Sequence, residues 1–459
     1  MNLTGLLIVF VISLAFVLIS IIKYKLHPFL ALLIGGLIMG VGSGMDLIEL
    51  ANGLAAGFGG TLEGIGIIII LGVALGHLLH VSGCTSQIAV LLLKATGEKR
   101  APLAINLTGV IVSIPVFFDA AFVILVNLIK SISKKGKIRF VTLVTALAVG
   151  LITTHAMVIP TPGPIAVAGT MGVNIGWFLL YSIIAAIPAS LVGGVAYGKF
   201  IGKKPEFSNN FADSFDNVEE EISVTEASKK LPSGGLGIFL IILPIIIILL
   251  GTVASLVFKE NSAAYTIFSF LGNKNIALLI GTIVAFLMLE PYLDISINDA
   301  ISEATTQAGS ILAITGAGGA FGQIIKMTGI GDSLVDSMSG LMGGNGAGLI
   351  IAAFIISIVL RGSQGSTTVA LVTTSAMFAP VVANLPNVSP LLVGLAICAG
   401  GIGLSLPNDS GFWVVSRFSN FSTKQTLQAW TVAGTISSIT ALMIVVALSF
   451  FTTSLPGLL

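Results

Sequence analysis

The sequence predicts an all-α polytopic membrane protein made of two inverted-topology repeats, each with about five full spans, one re-entrant hairpin and one broken helix. Composition is the first reason. Of 459 residues, 55% are hydrophobic and 9% charged, and mean hydropathy is +1.06, the balance of a chain whose solvent is lipid. Internal repetition is the second. LALLIG at 30–35 returns as IALLIG at 276–281, GVALG from Gly72 as GGAFG from Gly318, and Val123 of FVILV as Val369 of TVALV, always 246 residues apart. Only the stretch 46–62 slips register. Duplicated apolar chains of this kind build secondary transporters. The third reason is where the charges fall.

Apolar windows near 3–22, 28–44, 64–81, 140–160, 176–198, 236–258, 276–293, 306–325 and 427–451 are each long enough to cross a hydrocarbon core of about 30 Å. The first has no basic residue ahead of it, Lys23 and Lys25 behind it and no small-residue cleavage site, so it reads as a retained helix. Loops rich in Lys and Arg stay in the cytoplasm. With the N-terminus extracellular or periplasmic, segments 23–27, 82–100, 130–139, 199–235 and 417–426 fall inside, carrying 17 of the 21 Lys and Arg. Lys259, Lys274 and Lys326 fall outside and Arg361 within the membrane. The expected location is the inner, cytoplasmic membrane. A net charge of +1 gives no reason to expect nucleic acid as a partner.

The first repeat is expected over 1–198 and the second, inverted, over 236–459, joined by a cytoplasmic linker 199–235 whose part 205–230, with Glu219, Glu220 and Glu221, reads as mobile. Residues 101–129 are apolar but flanked by basic segments on the same side, and 29 residues are too few for two crossings. They are expected to dip in and return, with the tip at 113–119. The partner hairpin is 347–385, with its tip at 360–366. Residues 140–172 hold Pro160, Pro162, Gly163 and Pro164 at midmembrane, where proline removes amide donors and clashes with the preceding turn. The matching break, 405–411, interrupts 391–415. Irregular backbone at that depth survives where it is buried in protein or lines a watery cavity. Segments 84–96 and 332–342 read as short interfacial helices.

IPVFFDAAFVIL (114–125), THAMVIPTPGPIA (154–166), LRGSQGSTTVAL (360–371), NDSGFWVVSRF (408–418), QTLQAWT (425–431) and KYKLHPFLALLIGGLIMG (23–40) together resemble the gluconate permease family of the ion transporter superfamily. The resemblance runs through nearly the whole chain in order. It implies a homodimeric, proton-coupled importer of sugar acids or similar hydroxy acids, working as an elevator. Two positions depart from the family's pattern. Thr161 stands where gluconate permeases commonly carry a His between prolines, and Leu406-Pro407 fills a segment where they carry another. A shorter acid, or a hydroxy amino acid such as D-serine, which relatives carry, therefore stays open.

Arg361 suits a carboxylate, which a guanidinium grips with two prongs, although an ion pair with Asp119 or Asp409 is the plainer reading. Asp119, Asp409 and His155 are the candidate proton carriers; against that, either acid serves as a helix cap, and His155 as a packed side chain. Ser363, Gln364, Gly365, Ser366, Thr367, Phe118, Thr161, Gly163, Asn408 and Ser410 complete the candidate substrate site, with hydroxyls and amides suited to a polyol. No metal or cofactor is expected. The coupling ion is expected to be H⁺, and Na⁺ stays open because carbonyl, Asn and Ser oxygens leave no charged signature. The rival readings are a sodium-coupled carrier, or an ion or proton exchanger or channel without organic substrate. A membrane enzyme ranks behind both, lacking a nucleophile–base pair. GAGGAFG (316–322) follows no strand and reads as close helix packing, not a dinucleotide loop. His77 and His80 read as interfacial, without carboxylate company, and Cys84 and Cys398 as isolated thiols.

Overall fold

The computed structural model describes residues 3–96, 100–114, 116–136, 138–207, 231–259, 262–329, 346–383, 385, 387–407 and 409–458. No strand occurs among them. The first half contains α1 (Leu3–Ile22), α2 (Pro28–Gly42), α3 (Leu47–Val81), α4 (Cys84–Thr96), α5 (Ala101–Val112), α6 (Phe118–Gly136), α7 (Phe140–Met157), α8 (Pro162–Thr170) and α9 (Ile175–Ser190). The last continues through a π segment, Leu191–Ala196, into α10 (Tyr197–Ile201). The second half contains α11 (Gly234–Val257), α12 (Ala263–Leu271), α13 (Lys274–Leu289), α14 (Ile297–Met327), α15 (Ala347–Gln364), α16 (Thr367–Val382), α17 (Pro390–Gly400), α18 (Ser410–Phe418), α19 (Thr423–Thr426) and, after the π segment Leu427–Thr431, α20 (Val432–Ser449).

Short polar residues start these helices. Asp46, Asn174, Ser233, Asn273 and Ser296 each accept a first-turn amide of the helix that follows, as good N-caps do. Interruptions fall where proline, glycine or a cap forbids continuation. Residues 158–161 separate α7 from α8, whose Pro162 sits at a first-turn position that needs no amide donor. Gly365 adopts φ +71° between α15 and α16, a left-handed geometry that costs glycine nothing. Residues 401–409 separate α17 from α18.

Nine helical stretches among the described residues are long and apolar enough to cross a membrane. Their membership differs from expectation in one exchange. Window 28–44 shrinks to the 15-residue α2, while the 18-residue α15, assigned from sequence to a hairpin arm, qualifies instead. Nothing breaks LRGSQ before Gly365, so the helix swallows much of the expected tip, Arg361 included. Likewise α6 runs on to Gly136 through the expected loop 130–139, because Lys is a good helix former. Residues 84–96 are helical as α4; segment 332–342 and linker residues 208–230 lie outside the described residues.

The two longest helices, α3 and α14, pack against each other along the centre, with α2, α13 and α16 against them. Glycines set that distance: a methyl on Gly57 would stand 2.5 Å from the Gly319 carbonyl, inside the GAGGAFG run. Every residue of α7 and all but the first of α17 are buried, so the interrupted helices are sheathed by protein. Around them α1, α11, α12 and α13 expose Ile8, Val11, Phe239, Ile246, Ile267 and Leu287, which hydrocarbon accepts.

Three of the basic segments meet on one face. Phe421 packs edge-on against Phe140 and Phe207, with ring centroids 6.1 and 5.8 Å away, and Lys424 lies 3.4 Å from Glu206. Hydrogen bonding by Gln428, then Lys424, holds the Glu206 carboxyl below its ordinary range. At another junction, the Tyr181 hydroxyl donates to the Pro456 carbonyl, 2.7 Å away, tying α9 to the C-terminus.

Candidate functional site

A cavity of about 420 Å³ opens where the interrupted helices converge. Three helix N-termini supply its wall: Phe118 and Asp119 begin α6, Ser366 to Val369 begin α16, and Asp409 to Gly411 begin α18. First-turn amides lack intrahelical acceptors, and the helix dipole adds positive potential there, so each such terminus favours an anion. His155, at the end of α7, and Arg361, in the last turn of α15, also face the cavity.

Arg361 and Asp409 form a buried ion pair, Nη2 to Oδ2, at 2.5 Å, with 2% and 6% of their side chains exposed. Asp409 is fully engaged. Its Oδ2 also accepts from the Ser405 hydroxyl, and its Oδ1 accepts from the Gly411 amide at 3.0 Å, capping α18. Trp430 Nε1 in turn donates to Ser405 Oγ at 2.6 Å, and the Trp430 ring stacks on Phe118 with centroids 4.9 Å apart. Arg361 is the opposite case. Its Nε and Nη1 are buried with no hydrogen-bond partner among the described residues, as is His155 Nδ1. A buried donor left unmatched costs about 1–3 kcal/mol, more when charged, so this guanidinium holds two donors that none of the described residues satisfies. Asp119 Oδ2 accepts from Ser410 Oγ at 3.1 Å on the exposed side of the site.

The expected site residues divide. Arg361, Gly365, Ser366, Thr367, Phe118, Asp119, His155, Asp409 and Ser410 all line the cavity. Ser363 and Gln364 do not: the Ser363 carbonyl accepts from Lys25 Nζ at 2.6 Å, and Gln364 Nε2 donates to the Ile21 carbonyl at 3.3 Å. Thr161 sits behind His155 in a small separate void, its hydroxyl turned to the Val158 carbonyl. Gly163 is a packing position, where a methyl would meet Leu371 Cδ1 at 2.8 Å. Asn408 lies outside the described residues. Gln307 and Ser310 of α14 and Trp430 also line the cavity, and Ser405 braces it through Asp409 and Trp430; none of these was among the site residues expected from the sequence. A pair of polar residues one turn apart in a membrane helix was the available signal for the first two.

No group of three or more His, Cys, Asp or Glu that would hold a metal occurs among the described residues. His77 does have a carboxylate beside it, contrary to expectation: Glu303 of α14 lies 3.1 Å from its Nε2. The cysteines Cys84 and Cys398 are both free and buried.

The low-affinity gluconate transporter of Escherichia coli K12 is 33% identical over 430 residues, covering 92% of this chain and 94% of the transporter. The D-serine transporter of the same strain is 33% identical over 445 residues, covering 96% of this chain and 97% of its own. The fold is also that of the YdaH transporter from Alcanivorax borkumensis, with a TM-score of 0.67 over 93% of this chain and 98% of that one at 12% identity. The family model for GntP family permeases matches residues 5–451. With nine candidate spans and no enzyme among these relatives, the chain is a multi-pass membrane transporter and belongs to the GntP permease family.

Proposed function

We propose that this transporter imports a sugar acid such as gluconate, or a related small hydroxy acid, by symport with a proton across the cytoplasmic membrane. The observation that carries the reading is the buried Arg361, with two donor nitrogens unmatched, facing a cavity walled by three helix N-termini. A carboxylate fits that vacancy in charge and supplies the acceptor that these donors lack. Gln307, Ser310, Ser366, Thr367 and Ser410 offer hydroxyl and amide partners for the rest of a polyol, and about 420 Å³ suits a small-molecule site. A hydroxy amino acid is the second reading, favoured by Asp119, whose carboxylate faces the same cavity and would pair with an ammonium.

Charge balance argues for the proton. The site already holds one Arg and two Asp, and a second anion beside Asp409 would be opposed by about 4 kcal/mol at 4 Å in a medium of effective dielectric 20. A proton arriving with the substrate removes that opposition. In reconstituted vesicles an inward pH gradient should drive gluconate accumulation, with unlabelled D-serine tested as competitor, and a sodium gradient alone should not. Accumulation on sodium alone would defeat proton symport; failure of both gradients with both substrates would defeat the substrate reading.

We read the halves 1–198 and 236–459 as inverted repeats, with 101–129 and 347–385 as re-entrant hairpins of a moving transport domain. The matched order of short helix pair and interrupted helix in each half supports this, as do α5 packing on α7 and α15 on α17. The contact of Lys25 with Ser363 puts the turn after Arg361 beside a basic loop, which fits a substrate site lowered towards the cytoplasm. The gathering of Phe140, Phe207 and Phe421 supports one cytoplasmic face for three basic segments. A cysteine in place of the exposed Lys203 should therefore resist a membrane-impermeant maleimide added to intact cells and react after permeabilisation. Labelling in intact cells would reverse the orientation.

A further inference from the structure

We propose that a second cavity, of about 360 Å³, is a distinct binding site for a small carboxylate, built around Lys274 and Lys326. The site needs only the anionic chemistry of the transported substrate; its assignment to the uptake side rests on the orientation argued above.

The two cavities share α14 but not a position on it. The first touches Gln307 to Ile314 and the second Gly318 to Lys326. At 1.5 Å per residue, their centres are about 18 Å apart along the helix axis. Lys326 ends α14 and Lys274 begins α13, so the second cavity opens at the membrane boundary away from the basic loops. Its walls come from α3, α8, α14 and α16, and glycines and alanines keep them thin enough to leave the space open.

Its charges are one-sided. Two lysines line this cavity from helix ends 52 residues apart in sequence, and no Asp or Glu is among the residues lining it. Lysines at helix ends ordinarily reach outward to headgroups. Here both line one concavity, together with Thr61, Thr170 and Gln323. Cations in a cleft with low-dielectric walls focus an attractive field and concentrate anions from solution. The lysines hold the carboxylate and the three polar side chains meet the hydroxyls of a hydroxy acid. An incoming anion thus has a station about one half-membrane from Arg361.

Amine acylation of the whole protein in vesicles, with a membrane-impermeant reagent and residue-by-residue mass spectrometry, tests this. Gluconate is the probe, glucose the neutral control and Lys259 the internal reference. At about nine times its dissociation constant, gluconate should slow acylation of Lys274 and Lys326 about tenfold, leave Lys259 unchanged, and be unmatched by glucose. The same protection should persist in Arg361→Ala, or in Arg361→Ala/Asp409→Asn where the single variant folds poorly. Persistence shows a site independent of the first cavity, and it would stand even if Arg361→Ala bound substrate normally and so defeated the carboxylate role of Arg361. No protection in wild type, equal protection by glucose or at Lys259, or protection lost with Arg361 each overturns the proposal.

Discussion

Replacing Arg361 by alanine is expected to weaken equilibrium binding of gluconate by about 30-fold or more, since losing one partner of a buried charge pair costs about 2–5 kcal/mol and 1.4 kcal/mol is tenfold. The substitution also strands Asp409, which loses its cation while remaining 6% exposed. A stranded buried charge alone destabilises by about 3–5 kcal/mol, so lost binding could reflect lost folding. The double variant Arg361→Ala/Asp409→Asn separates the two. It removes both charges, and Asn keeps the size of the side chain that caps α18 through the Gly411 amide. Thermal stability should recover in the double variant while binding stays lost. Arg361→Lys should restore little, because a compact ammonium cannot keep one donor on Asp409 and still present further planar donors, as Arg361 does with Nη2 paired and Nε and Nη1 unmatched. Ordinary affinity in the well-folded double variant would show that the guanidinium is structural and that substrate binds elsewhere.

Much of this site was legible in the sequence because its residues violate their surroundings. A guanidinium, two carboxylates and an imidazole in apolar runs are costly, and prolines or glycines in spanning helices mark interruptions whatever the packing. Arg361, Asp119, Asp409 and His155 were found that way, and all four line one cavity. Pairing was not legible: Arg361 and Asp409 are 48 residues apart, and only the fold selects Asp409 over Asp119. Helix rotation was not legible either. Ser363 lies about 200° around α15 from Arg361, so despite its proximity in sequence its side chain stays off the cavity, the hydroxyl donating back to the Leu360 carbonyl at 3.0 Å. Gln307 and Ser310 escaped for a related reason: the first half of α14 also carries Ser302, Glu303, Thr305 and Thr306, so polarity alone did not single out the pair that faces the cavity. The length of α15 was misjudged because Arg361 was taken to mark a turn, whereas Arg is a good helix former and Gly365 makes the turn.

Asp409→Asn is expected to abolish accumulation of gluconate on an inward pH gradient while leaving gluconate exchange across the membrane within a few-fold of wild type. The wild-type site has a single cation, already paired at 2.5 Å, and the substrate carboxylate competes with Asp409 for it. On the proposed symport, protonating Asp409 would resolve that competition by releasing Arg361 to the substrate, so that one proton would enter with each monoanion and no net charge would move. Substrate affinity in the wild type should therefore fall as pH rises. Asparagine imitates the protonated acid permanently: Arg361 is free at every pH, and affinity becomes flat across the same range. The amide oxygen of the asparagine can still accept from the Gly411 amide, and its NH2 can donate to the Ser405 hydroxyl, so the break between α17 and α18 should hold its shape. Asp119→Asn is the matched comparison, since that carboxylate faces the cavity, accepts from Ser410 and has no ion pair among the described residues. It should keep pH-driven accumulation at a reduced rate. If Asp409→Asn still concentrates gluconate and retains the wild-type pH dependence, the proton does not travel on Asp409; if the behaviour is transferred to Asp119→Asn, the exposed carboxylate carries it and the Arg361–Asp409 pair is a fixed support.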